Sequence, residues 1–287
     1  MSTLTAGSTD ATVSARTALD SPYRLSFAHL AHAEWIKLVT LRSTWWSFGM
    51  VALISIGLSV LMAASMSAFL GDAGQMTPAE SNEQAVMVIL FSTVLTQMLA
   101  VIIGTISVTG EYSTGMIRST LTAAPQRISS LLAKALIVGL SLFVSTLVVF
   151  AVTALLTGPL LPTGALDLSD PGTSLVPILG ASFYLAIIAI VGVGLGYIIR
   201  NGPGALAASI GLVFVAPLLI GFFPQIPQLE WLHELASYLP SNAGQSLFLG
   251  YPMSGHALDT APAVLTLIAW AVFALVGGSA VLKGRDA

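Results

Sequence analysis

Apolar residues in this chain gather in long unbroken blocks instead of alternating with polar ones. Six blocks can be marked, at 46–69, 85–109, 128–157, 175–199, 202–222 and 261–282. Each reaches the ~20 residues that a helix needs to cross the hydrocarbon core of a bilayer. None holds an acidic residue. Strands crossing a membrane would show ~10-residue segments of alternating polarity, and no such pattern is present. The pattern predicts an all-α polytopic membrane protein with six transmembrane helices. One block alone would fit a buried core helix; six in succession do not.

Before the first block lies Leu25 to Arg42, LSFAHLAHAEWIKLVTLR. Phe27, Ala31, Trp35, Leu38 and Val39 fall on one helical face, with Ser26, His29, Lys37 and Thr40 away from it. That spacing predicts a helix lying in the membrane plane over 25–42. Residues 1–22 are rich in Ser, Thr and Ala and have no apolar run, so they read as a disordered tail, leaving 23–287 as the membrane domain. Between the fifth and sixth blocks, PQLEWLHELASYLP predicts one or two short helices at the outer membrane surface.

Composition agrees with a bilayer setting. The chain of 287 residues is 55% hydrophobic, with a mean hydropathy of +0.90, and only 8% of it is charged. Soluble domains carry about 25% charged residues. Cysteine is absent, which excludes disulfides, thiol catalysis and thiolate metal sites.

The placement of charge orients the chain. All ten Lys and Arg residues (Arg16, Arg24, Lys37, Arg42, Arg118, Arg127, Lys134, Arg200, Lys283 and Arg285) lie at the two termini or around the second and fourth connections. The first, third and fifth connections hold no Lys or Arg and carry the acids Asp72, Glu80, Glu83, Asp167, Asp170, Glu230, Glu234 and Asp259. Cytoplasmic loops collect Lys and Arg, so both termini and the segment after the second block are expected in the cytoplasm. Trp45 and Trp46 suit the cytoplasmic interface, and Lys134 is expected to snorkel back to it.

Candidate chemistry is sparse. No GxxxxGK[ST] motif occurs, so the chain has no phosphate loop of that kind. No ionisable residue sits near the middle of a block, which disfavours an ion-coupled carrier. Thr93, Thr96 and Gln97 are the deepest polar groups of the second block, readable as interhelical hydrogen bonds or as the lining of a substrate path. Gly192 with Gly196, and Gly204, Ala208 and Gly211, form small-residue stripes that point to close helix packing or dimerisation. His233 and His256 read as interfacial loop residues; Glu230 and Glu234 beside them make only a weak metal signal, and no metal site is expected.

Three segments carry a family likeness. EWIKLVTLRSTWW (Glu34 to Trp46), GEYSTGMIRSTLTAAPQR (Gly110 to Arg127) and YLPSNAGQSL (Tyr238 to Leu247) resemble, in that order, parts of the membrane subunits of ABC-2 type transporters, in particular the single-domain permeases of actinobacteria. In the second segment Glu111, Gly115, Ile117, Leu121, Pro125 and Arg127 match the family pattern in kind and rough spacing, while Met116 replaces the usual threonine.

The resemblance implies a type V exporter-like fold in a bacterial cell membrane. It implies that Glu111, Tyr112, Ser113, Thr114, Gly115, Met116, Ile117 and Arg118 form a coupling element docking on a separate ATP-binding subunit. Two such subunits, holding ATP and Mg²⁺, would work beneath two paired permeases, identical copies being expected. The chain itself would then be no enzyme, would carry no cofactor and would bind no nucleic acid. The competing expectations are a membrane-embedded enzyme or protease with an outer-face site at His233 and His256, and a secondary carrier.

Overall fold

The computed structural model describes residues 26–70, 77–117, 127–161, 166–224, 226–250 and 252–284. The expected tail at 1–22 lies outside them. The elements are helical throughout: α1 (Phe27–Thr40), α2 (Arg42–Leu70), α3 (Pro78–Leu90), α4 (Thr93–Ser113), α5 (Arg127–Thr157), α6 (Pro171–Ile199), α7 (Gly202–Ile210), α8 (Ala216–Gly221), α9 (Glu230–Ser237), α10 (Pro240–Gln245) and α11 (Thr260–Gly284). Six stretches are long and apolar enough to cross a membrane: Arg42–Ala68, Pro78–Ser113, Arg127–Leu160, Pro171–Ile199, Gly202–Gly221 and Thr260–Gly284.

These spans correspond to the six apolar blocks but run past several of their ends. The second span gains Glu80, Glu83 and Glu111, because helical hydrogen bonding continues where the hydrocarbon stops. That span is also broken: α3 and α4 are separated by a turn at Phe91–Ser92. The fifth is loosened by a π-helical stretch, Gly211–Val215, between α7 and α8.

Local chemistry sets the helix starts. The hydroxyl of Ser26 accepts from the His29 N–H and caps α1. Thr77 and Glu80 form a reciprocal capping box with Pro78 in the first turn of α3. Asp170 caps α6 ahead of Pro171. At the other end of α6, Arg200 adopts a left-handed φ of 60°, and the side chain of Asn201 caps α7 through the Gly204 N–H. That pair produces the two-residue turn between the fourth and fifth spans.

Helix α6 is the central post, with α4, α5 and α11 packed around it. Small residues let the backbones approach. A Cβ on Gly104 would stand 2.0 Å from the carbonyl oxygen of Ala189, and one on Gly192 2.5 Å from that of Val101. Gly196 likewise meets Val108. In the fifth span Gly204 and Ala208 are exposed and Gly211 faces open space, so this stripe does not pack within the chain, while Ala205 and Ser209 make the buried face of α7. Ser209 bonds Thr105 of α4 at 2.9 Å. A stripe read from sequence spacing does not say which side of the helix meets the neighbour.

The two ends of the bundle differ in charge. At the basic end, Arg127 and Arg200 donate to the carbonyls of Leu282 and Val281, tying the start of α5 and the end of α6 to the end of α11. At the acidic end, Asn82 of α3 bonds Thr173 of α6 and accepts from the Asp167 N–H. There α9 exposes Trp231 and Leu235. Helix α10 departs from the surface position expected for this region, since all six of its residues are buried. A Cβ on Gly244 would fall within 2.1 Å of the Tyr184 ring, half-way along α6. Several of its polar groups are bonded internally: Asn242 donates to Ala236 O and Ser254 Oγ, and Gln245 accepts from the Met253 N–H, while Ser241 Oγ and Asn242 Oδ1 are buried without a partner.

Candidate functional site

At the basic end, four ionisable side chains from α1, α4 and α5 close into a ring. Glu34 and Lys37 lie one turn apart on α1. Glu111 sits in the last turn of α4, and Lys134 two turns into α5. Lys37 Nζ stands 2.7 Å from Glu34 and 2.9 Å from Glu111. Lys134 Nζ stands 2.5 Å from Glu34 and 2.8 Å from Glu111. Each cation bridges both carboxylates, so charge alternates around the ring and sums to zero. Glu34, Glu111 and Lys134 are buried; Lys37 keeps 27% of its side-chain exposure.

Burial alone would pull the Lys37 ammonium down, but the bonds and field of the Glu34 and Glu111 carboxylates outweigh it and hold its pKa above the usual lysine value. The Lys134 ammonium is held by the two carboxylates of the ring at the basic end of the bundle.

The ring also corrects the face assigned to α1. Phe27, Trp35, Ile36 and Val39 are exposed, as suits contact with lipid. Leu30, Ala31, Glu34, Lys37 and Leu38 turn inward, and α5 is the main neighbour of the helix. The acid and base one turn apart on α1 face protein, not solvent.

Beyond Glu111 the chain leaves the bundle. Ser113 and Thr114 hydroxyls both bond the Gly110 carbonyl at 2.9 Å. Gly115 then takes a left-handed φ of 73°, which ends the helix and favours glycine there. Met116 is exposed at 38%, whereas Ile117 of the expected coupling element is buried in the core. Tyr112 packs edge-on to Tyr197, with the Arg200 guanidinium 5.4 Å from its ring centre. Arg118, Leu121 and Pro125 lie outside the described residues.

Bordering the ring is a cleft of about 450 Å³ between α1, the start of α2, α4 and α5. Its walls include Leu38, Leu41, Ile103, Ile106 and Ile137, with Glu111 and Lys37 at the basic end. One oxygen of Glu111, Oε2, is buried without a hydrogen-bond partner.

A family model described as ABC-2 family transporter protein matches residues 28–287. The chain belongs to the ABC-2 transporter family. Comparison with curated proteins gives no match. As an ABC-2 family member it is a multi-pass membrane protein and the permease component of an ABC transporter, a class of component that works with an ATP-binding subunit.

The remaining sequence candidates fall elsewhere in this permease. Thr93, Thr96 and Gln97 are buried deep in α4. Thr96 bonds Ser55 of α2 at 2.9 Å, and Gln97 accepts from the Tyr184 hydroxyl of α6 while donating to Val94 O. Two of the three are thus tied into helix–helix contacts. Thr93 Oγ1 and its neighbour Ser92 Oγ have no partner at the break in the second span. At the acidic end His233 is buried and lies on helix α9 instead of a loop, and both its ring nitrogens lack partners; His256 is exposed. Among the described residues, no group of three or more His, Asp or Glu is placed to hold a metal.

Sequence reasoning missed Glu34, Lys37 and Lys134 as a set. The available signal was a lysine two turns inside an apolar block, which needs a counter-charge, and an acid–base pair one turn apart on the preceding amphipathic helix.

Proposed function

We propose that this permease exports its cargo and is driven through the segment at 110–127, which docks on a separate ATP-binding subunit on the cytoplasmic side. The basic end of the bundle, with both chain termini, faces the cytoplasm of a bacterial cell. Two permease copies pair above two ATP-binding subunits, and ATP and Mg²⁺ are bound there and not by this chain. One observation carries the coupling reading: the residue before the exposed turn, Glu111, is locked to both α1 and α5 by the ring. A displacement delivered to the turn at Thr114–Met116 reaches three elements at once through charges that cannot separate cheaply. Charge bias supports the orientation. The direction of transport rests on the likeness of the Glu34–Trp46 and Gly110–Arg127 segments to exporter permeases.

The test uses Met116, which is exposed, together with its near neighbour in sequence Arg118. Met116→Asp with Arg118→Glu places repulsive charge on the docking face. The double variant should insert normally, yet lose co-purification of the ATP-binding subunit or lose transport in vesicles. Wild-type assembly together with wild-type transport would refute the coupling role. Reporter fusions after residue 120 should read inside and those after 168 or 245 outside; an outside signal at 120 would reverse the orientation.

A further inference from the structure

We infer that the cleft beside the ion-pair ring binds an anionic phospholipid, its phosphate held by Lys37 and the start of α2 and an acyl chain lying along the apolar walls. This goes beyond the transport reading and does not depend on it. The cleft is the size of ordinary small-ligand sites, which run from about 300 to 1,000 Å³. Leu38, Leu41, Ile103, Ile106 and Ile137 make its walls apolar. Gly110 and Ile103 border it on the same helix, seven residues apart, so it runs about 10 Å from the charged end toward the hydrocarbon. A Cβ on Gly110 would meet nothing within 4 Å, which marks open space beside α4. A lipid in the leaflet at the basic end has the same gradient, head at the interface and chains toward the middle.

Donors gather at the charged end of the cleft. A lysine ammonium carries three N–H groups. Lys37 gives two of them, to Glu34 and Glu111, and it is the ring member that keeps 27% of its side-chain exposure. Its third N–H is left for a ligand. Ser43 and Thr44, in the first turn of α2, also line the cleft, and their hydroxyls make no hydrogen bond among the described residues. Leu41, which precedes α2, has no side-chain oxygen to cap it, so the first amides of this 29-residue helix stay uncapped and its positive end is unanswered.

The sign of the head follows from the charge the ring does not cancel. Arg42 stands between Leu41 and Ser43 of the cleft wall, is exposed, and makes no ion pair among the described residues. Its guanidinium offers a phosphate two parallel N–H bonds. Around it, all six described Lys and Arg residues lie at this end of the bundle, against only the two carboxylates Glu34 and Glu111. A head with net negative charge answers that surplus. Choline and ethanolamine heads carry a phosphate too, but each brings an ammonium into an end already rich in cations.

The experiment is native mass spectrometry of the detergent-purified full chain, incubated separately with phosphatidylglycerol, phosphatidylethanolamine and phosphatidylcholine of matched acyl chains. Phosphatidylglycerol should be retained roughly tenfold better than the other two, the factor that one charge-assisted bond corresponds to. Arg42→Gln changes an exposed side chain and should bring phosphatidylglycerol down to the level of phosphatidylcholine, while Arg42→Lys should keep part of the preference. Lys283→Gln, an exposed cation at the same end, should leave the preference intact. Gly110→Leu, which fills the cleft without touching the ring, should lower phosphatidylglycerol retention with thermal unfolding unchanged. Equal retention of phosphatidylglycerol and phosphatidylcholine by the wild type overturns the assignment of the head. An undiminished preference in Arg42→Gln or in Gly110→Leu overturns the location. Displacement of phosphatidylglycerol by equimolar glycerol phosphate, which has no chains, overturns the lipid as occupant.

Discussion

Replacing Lys134 by methionine is the sharpest test of the ring. The change keeps the length and apolar stem of the side chain but removes the ammonium that bridges Glu34 at 2.5 Å and Glu111 at 2.8 Å. Two buried carboxylates then face a single cation, Lys37, and the cluster carries a net negative charge. Removing one partner of a buried pair costs about 3–5 kcal/mol, because the remaining charge stays desolvated. That is a large share of the 5–15 kcal/mol that holds a typical domain together. The cheapest relief is for α1 to swing away and hydrate Glu34. The absence of cysteine makes the assay clean. A single cysteine at Ala31, on the inward side of α1, should react slowly with a water-soluble maleimide. In Lys134→Met it should react about 100-fold faster or more, the factor that about 3 kcal/mol of undocking corresponds to. Adding Glu34→Gln, which restores neutrality, should recover much of the protection. Lys283→Met, an exposed lysine at the same end, is the control and should change nothing. Equal labelling of Lys134→Met and wild type would refute the claim that the ring holds α1 in place.

Further predictions follow from other sites. Because the folded pKa of Lys37 is raised, its contribution is complete below the unfolded lysine value of about 10.4 and is lost only as pH climbs through the still higher folded value; α1 protection contributed by Lys37 should therefore be flat from about pH 6 to about pH 10 and fail only above that. Tyr184→Phe leaves Gln97 Oε1 without its donor and should lower stability in micelles by about 1–2 kcal/mol, read from thermal unfolding. Gly104→Val drives a side chain into the Ala189 carbonyl and should prevent folding, whereas Gly110→Ala should be neutral or stabilising in the same expression and melting assays. His233→Leu and His256→Ala should leave transport near wild type, with His233→Leu no less stable because it removes two unpartnered nitrogens; abolished transport in a well-folded variant would point to chemistry at the acidic end.

The apolar blocks made six spans legible because a bilayer demands about 20 apolar residues and little else meets that demand. The break at Phe91–Ser92 was hidden for the same reason: Ser92 and Thr93 are too few to lower the hydropathy of a run that is mostly apolar around them. The depth of α10 was invisible because it depends on Gly244 fitting against Tyr184, sixty residues away in the chain. The segment from Glu111 to Ile117 was recognisable as a motif, but not the direction its residues face: Glu111 and Ile117 turn inward and Met116 outward. The ring itself is a contact among three segments. Each of its members has an ordinary local explanation, as a solvated pair on α1, a helix-end acid or a snorkelling lysine, and only the fold brings them together.

The ring has a bearing on how the chain is made. Glu111 and Lys134 are 23 residues apart, on consecutive helices, whereas Glu34 precedes Lys134 by 100. An unpaired lysine in the hydrocarbon carries an insertion penalty, about 2.5–3.5 kcal/mol at the helix centre, which an opposite charge on the adjoining helix relieves. The second and third spans therefore favour joint passage from the translocation machinery as a hairpin, their charges already neutralised. Helix α1 precedes that hairpin in the chain but finds its complete berth only after the hairpin arrives, because Lys134 supplies the second cation that holds it.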